Sequence, residues 1–175
     1  MTRDSGALTP REAAQLLRAA LATLHAESSA LPPATLGWHP AEGEWCAKEV
    51  LGHLIEAERR GFAGRIRIIL GSANPALETW DQDTVARARR DCARDWRELL
   101  AELSGLREDS AALVEGLDVS ALERGGRHPT VGDLSVGDLL HEWVHHDRNH
   151  IRQILANVQQ YVWPHMGNAQ RFSLP

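Results

Sequence analysis

Nine histidines occur in 175 residues, and four of them, His141, His145, His146 and His150, fall within Leu140–Ile151. Histidine is the commonest metal ligand and the usual general base near neutral pH, so this clustering is the chemistry to explain first. Two pairs have i,i+4 spacing, His141/His145 and His146/His150. Either could chelate a metal, because residues four apart project from one helix face about a turn from each other. Periodicity separates them. At about 100° per residue, Val136, Leu139, Leu140, Trp143, Ile154 and Val158 define an apolar stripe. His150 falls inside that stripe and His146 at its edge, whereas His141 and His145 lie opposite, with Arg148 and Arg152. The inward pair is His146/His150. A metal needs a further ligand, and His53 offers one, beside a second stripe formed by Val50, Leu54, Ala57 and Gly61. Three neutral imidazoles suit Zn²⁺, Ni²⁺ or Fe²⁺ and leave coordination positions for water or substrate, as in a catalytic site. Against this stands a plainer account: a histidine on an apolar face is more often a hydrogen-bonded core residue, and the pair lacks the internal Glu of HExxH.

Other polar residues sit where apolar ones are expected. Glu58 and Arg65, one heptad apart, project onto the core side of their helix. Buried charges need partners, for which Asp81, Asp83 and Arg107 are candidates; a structural ion-pair network is favoured over substrate positioning. Glu56, one turn from His53, either orients its imidazole or is solvated, and Asp147 has the same two options. Cys46 and Cys92 lie far apart and outside any CxxC, which gives neither a disulfide framework nor a Cys-rich zinc site. Cys92 projects into an apolar stripe and Cys46 has no activating base nearby in sequence, so neither is a good nucleophile. Trp45, Trp96 and Trp143 occupy core positions, while Trp38, Trp80 and Trp163 lie in loops, where closure of the bundle ends is favoured over lining a pocket mouth.

Four amphipathic segments must position these groups. Thr9-Pro10-Arg11-Glu12 reads as a capping box opening a helix to about Ala26. After Pro32-Pro33 and the Gly37–Gly43 stretch, a second helix begins at Trp45 or Cys46 and stops near Gly71. A third, capped by Asp83 or Thr84, keeps its period over Thr84–Gly116, with Gly105 as a potential bend. Gly125 to Gly132 reads as a turn-rich loop. Ser135 and Asp138 then cap a fourth helix, Val136–Tyr161, ended by Trp163-Pro164 before an irregular tail. The expectation is an all-α four-helix bundle with long inter-helix loops, a single domain over 1–175 with its core at about 10–161. Those loops allow an order other than up-down-up-down.

Composition bounds the function. At 43% hydrophobic and 25% charged residues the chain is globular in type. No apolar run approaches the length of a membrane span, and Met1–Pro10 lacks the order of a signal peptide, so a cytoplasmic protein is expected. A formal charge of −5 argues against a nucleic-acid partner. The arginine run Arg87, Arg89, Arg90, Arg94, Arg97 is interleaved with acids and reads as a solvated helix face.

Trp45–Glu58 (WCAKEVLGHLIEAE), Arg65-Ile66 and His146–Ile154 (HDRNHIRQI) resemble the DinB-like superfamily, specifically the subgroup whose last helix reads HDxxHxxQI. The likeness extends from about Pro10 to Tyr161. It implies a four-helix bundle with a divalent metal held by His53, His146 and His150, the same pair that periodicity selects on the last helix. His128, in a His-to-Gly loop before that helix, also resembles the subgroup. By likeness, the expected activity is a metal-dependent hydrolase or a bacillithiol- or mycothiol-type S-transferase, acting on a small thiol or electrophile. A stress-associated metal-binding or interaction protein without turnover is the alternative. The family also makes a homodimer an expectation.

Overall fold

In the computed structural model, which describes residues 6–173, Thr9 opens the first helix through a reciprocal cap. Its hydroxyl accepts from the Glu12 backbone N–H at 3.2 Å, and the Glu12 carboxylate accepts from the Thr9 N–H at 2.8 Å, satisfying donors that a helix N-terminus leaves free. Helix α1 spans Pro10–Ala30, and a single-turn helix α2 occupies Pro33–Leu36. Helix α3, Ala47–Glu56, passes into a π-helical stretch at Ala57–Phe62 and continues as α4, Ala63–Gly71. Helix α5 is Gln82–Arg89, a 3₁₀ turn follows at Asp91–Ala93, and α6 is Trp96–Glu115. Strands β1, Gly125–His128, and β2, Gly132–Ser135, form an antiparallel hairpin in which Gly125 pairs with Ser135 and His128 with Gly132. Helix α7, Val136–Val162, opens on a second reciprocal cap between Ser135 and Asp138. The tail forms 3₁₀ turns at Trp163–His165 and Gly167–Phe172 rather than an irregular segment. The first residues of the leader reading, and Leu174 and Pro175 of the tail, lie outside the described residues.

Side-chain contacts give each long helix its direction. Helices α1 and α7 run parallel, since the Leu8 N–H donates to His141 and Arg148 donates to the Leu16 carbonyl. Helix α6 runs against α1, with Arg18 bonded to Glu115 and His25 to Ser104. Helix α3 runs against α7: Asn157 donates to the Trp45 carbonyl while His53 meets His146. The order is therefore up, down, down, up. Both α1 and α3 pack against α6 and α7, so α1/α3 and α6/α7 lie across the diagonals of the bundle.

Two successive down helices require a return path, and residues 72–95 supply it. This is why the helix expected over Thr84–Gly116 is divided. The chain breaks at Arg90, which is left-handed with φ 52°, and restarts where Asp95 accepts from the Arg97 N–H at 2.8 Å. Gly105 does not interrupt α6. The segment expected as a loop at Gly125–Gly132 is instead the hairpin, tied to the crossover by a hydrogen bond from the Leu77 N–H to the Arg127 carbonyl. Its short strands carry none of the β-branched alternation that marks a strand in sequence.

The core has two apolar clusters. Leu17, Phe62, Ile66, Ile69 and Trp143 belong to one, and Leu24, Val50, Leu54, Leu99, Ile151 and Ile154 to the other. A polar layer lies where they meet: Glu58, Arg107 and Asp147, each 1% exposed. The π-helical stretch brings Glu58 into it. Gly64 accommodates that widened turn, because a Cβ there would stand 2.1 Å from the Arg59 carbonyl oxygen five residues back.

Candidate metal centre

His53 lies in the last turn of α3, just before the π-helical stretch, and His146 and His150 lie on successive turns of α7. Because α3 and α7 are antiparallel neighbours, the three imidazoles meet. His53 Nε2 is 3.0 Å from His146 Nε2. The ring centroids of His53 and His150 are 4.5 Å apart, and those of His146 and His150 4.4 Å. One nitrogen from each ring lies within 4.8 Å of the other two, a grouping that could hold a metal ion. The structure thus brings together all three histidines named from the sequence. His141 and His145, assigned to the outer face, are exposed.

The surroundings hold these rings in place and keep them neutral. Gln153 Oε1 accepts from His150 Nδ1 at 2.9 Å, which leaves the Nε2 lone pair turned to the cluster. Trp80 stacks on His53 at 5.8 Å, Trp45 tilts against it at 5.0 Å, and Phe62 meets His146 edge-on at 5.1 Å. Burial, reinforced by His150, pushes the His53 pKa down to about 4. Burial, with His150 and His53 beside it, pushes His146 down to about 3. His150 is also lowered by burial, against the raising effect of its Gln153 bond. Neutral imidazole is the form that ligates a cation. The Nε2 atoms of His53 and His146 are directed at each other, while their Nδ1 atoms are buried without a hydrogen-bond partner. Residues and surroundings fit a divalent cation.

His53 and His146 form one wall of a cavity of about 750 Å³, lined by Phe62, Trp80, Leu134 and Leu139 among apolar residues and by Arg65, His128 and Glu142 among polar ones. His150 faces a smaller recess on the other side, with Trp45 and Gln153. Arg65, whose partner the sequence left open, donates to the Glu78 carbonyl at 3.0 Å and meets His128 Nε2 at 3.1 Å. Its Nε is buried and unpartnered. Burial and the Arg65 charge lower the His128 pKa, so this imidazole is held neutral.

Several other assignments resolve differently. Glu58 does pair with Arg107, at 2.9 Å, and Arg107 also pairs with Asp147, so Asp147 is an ion-pair partner rather than a histidine-orienting group. Glu56 does not orient His53. It accepts from Arg60 at 2.6 Å and Arg89 at 2.7 Å, which outweigh burial and hold its carboxyl below the ordinary range. Asp91, bonded by the same Arg89 at 2.6 Å, lies over Gly52, where a Cβ would be 1.8 Å from its carboxylate. Trp80 lines the cavity instead of closing a bundle end, whereas Trp38 does pack at an end, on Tyr161. Cys92 faces Cys46 and His39 rather than an apolar stripe. Sequence periodicity missed Trp45, Trp80 and Phe62 as neighbours of the histidines, because the first two lie outside helices and the third belongs to the π-helical stretch.

Among the described residues, no helix is long and apolar enough to cross a membrane. The fold is that of YfiT from Bacillus subtilis, described as a probable metal-dependent hydrolase with an unusual four-helix bundle topology. The match has a TM-score of 0.81 at 22% identity and covers 93% of this chain and 94% of that one. A protein of Oceanobacillus iheyensis, provisionally named a metal-dependent hydrolase, is 21% identical over 131 residues, 69% of either chain. The sequence profile of the DinB superfamily matches residues 11–154. With the bundle, its up-down-down-up order and the histidines at the junction of α3 and α7, this match shows that the chain belongs to the DinB superfamily.

Proposed function

We propose that the protein is a divalent-metal-dependent hydrolase of small, partly apolar molecules carrying an anionic group, with His53, His146 and His150 as the metal's ligands. The observation that carries this reading is the convergence of three neutral imidazoles, two of which, His53 and His146, line a largely apolar cavity. A divalent ion bound there supplies a water of lowered pKa and a Lewis acid for a carbonyl or phosphoryl oxygen. Three imidazoles suit zinc, nickel or iron.

The chain's own residues supply binding and orientation. Arg65 has a buried, unpartnered Nε–H beside the cavity, which suits a carboxylate or phosphate oxygen. Gln153 fixes the His150 ring, and Trp80 and Trp45 flank His53 and limit water around it. The cysteines play no part in this chemistry, since neither Cys46 nor Cys92 lines the cavity.

The test is turnover of a panel of small esters, amides and lactones by tag-free protein, with metal added and with metal chelated. Metal-dependent hydrolysis supports the reading. Arg65→Met then raises KM for acidic substrates and leaves kcat and the neutral analogues nearly unchanged. Turnover only after addition of a low-molecular-weight thiol would replace hydrolysis with S-transfer, for which the cavity has room. Metal binding with no turnover of any kind would make the protein a metal-binding member of its family without catalysis.

A further inference from the structure

The crossover that returns the chain along the bundle is held by polar contacts more than by a helix core. Helix α5 contributes no buried residue, yet it connects Trp80 at the cavity to the start of α6. At its far end the chain packs a different kind of cluster against the N-terminus of α3. Cys46 Sγ and Cys92 Sγ lie 3.0 Å apart, unbonded, and His39 Nε2 lies 3.4 Å from Cys92 Sγ. Glu49 caps α3 by accepting from the Cys46 N–H at 2.9 Å and stands 3.6 Å from His39. The four residues each direct a donor atom within 4.8 Å of the others. They come from three segments: the loop before α3, the first turn of α3, and the 3₁₀ turn after α5.

We propose that His39, Cys46, Glu49 and Cys92 form a second metal site, separate from the three histidines, that binds Zn²⁺ through two thiolates, one imidazole and one carboxylate. Two soft sulfurs with an imidazole are a zinc donor set, and four protein donors leave no position for substrate, as in structural sites. His39 Nδ1 donates to the Glu44 carbonyl at 2.8 Å, a bond that fixes the tautomer and leaves the Nε2 lone pair facing Cys92. Lys48 adds a cation: its ammonium donates to the carbonyls of Cys92 at 2.9 Å and Arg94 at 2.8 Å. With both thiols and Glu49 ionised, the donors exceed the charge of a divalent ion by one, which Lys48 offsets. Binding releases the two thiol protons to solvent. The site ties the end of the crossover to the helix that carries His53.

Cobalt titration of the reduced, metal-free, full-length protein tests this. Thiolate-to-cobalt charge transfer absorbs in the near ultraviolet, and a site made only of histidines gives no such band. The band is expected in the wild type and in His150→Ala, lost in Cys92→Ser, and displaced by Zn²⁺. His39→Ala, at an exposed position, should weaken cobalt binding more than about tenfold. A wild type with both thiols free on denaturation and no band would overturn the proposal, as would a band that survives Cys92→Ser or a His39→Ala variant of unchanged affinity. Recovery of the pair as a disulfide, with no band after reduction, would make it a redox pair instead.

Discussion

Two polar clusters are buried within one bundle, on adjoining residues of one helix, and they are built in opposite ways. His146 and its partners, His53 and His150, are neutral, stacked among aromatic rings and open to a cavity. Asp147, the next residue along α7, belongs to a sealed layer of charges in which Arg107 lies between Asp147 and Glu58. Arg107 also donates to the Leu17 carbonyl, so it joins all four helices at the meeting of the two apolar clusters. The charged layer is held by opposite charges within the protein, Arg107 pairing with both Glu58 and Asp147. The histidine cluster holds no opposite charge: the Nε2 atoms of His53 and His146 face each other at 3.0 Å. Opposite charges paired across helices hold the structure, whereas neutral donors that converge on one another beside a cavity call for a cation.

The largest effect that separates the clusters is on stability. Arg107→Met leaves Glu58 and Asp147 buried without their cation and should cost about 3–5 kcal/mol in urea unfolding. His150→Ala removes one half-buried ring and should cost the metal-free protein about 1 kcal/mol or less. Equal losses would mean that both clusters are structural.

Smaller, and opposite in sign, are the pH effects. Burial, with Asp147 close by, raises the Glu58 carboxyl to about 7, against the lowering pull of Arg107. Its folded pKa exceeds its unfolded value, so its contribution is full below about 4.5 and is lost as pH rises through about 7. His53 runs the other way. With a folded pKa of about 4 against 6.5 unfolded, the metal-free fold has full stability above about 6.5 and loses it as pH falls towards 4. Glu58→Gln should therefore remove a component that declines with rising pH, and His53→Ala one that declines with falling pH. Chemical unfolding of both metal-free variants between pH 4.5 and 7 measures the two slopes. Slopes of the same sign would break the contrast.

The smallest effect concerns the wall between cavity and crossover. Trp80→Ala removes the ring stacked on His53 but leaves the imidazole's backbone and neighbours in place. It should weaken metal binding by several-fold with little loss of stability, measured by competition with a chelator. No change in metal affinity would make Trp80 a lining residue only.

The two clusters were not equally legible in the sequence. His146 and His150 could be assigned because a 27-residue helix repeats its apolar stripe often enough to fix their phase, and Glu58 was assigned to the core for the same reason. Arg107 was among the partners the sequence offered, but that it joins Glu58 to Asp147 depends on the helix order. The up-down-down-up order was not readable, since loops of similar length serve a neighbour or a diagonal. The same blindness covers the division at Arg90–Asp95 and the place of Trp80. His39, Cys46 and Cys92 are spread over three segments with no CxxC spacing, so only the fold unites them.

The central claim, that His53, His146 and His150 hold a divalent metal, is tested most directly by elemental analysis of tag-free wild type beside His150→Ala, both purified with the same metal supply. The account predicts that the variant retains its fold and carries one bound metal per chain fewer than the wild type. Equal metal content in the two proteins, or none in the wild type after Zn²⁺ or Ni²⁺ is added, would contradict it.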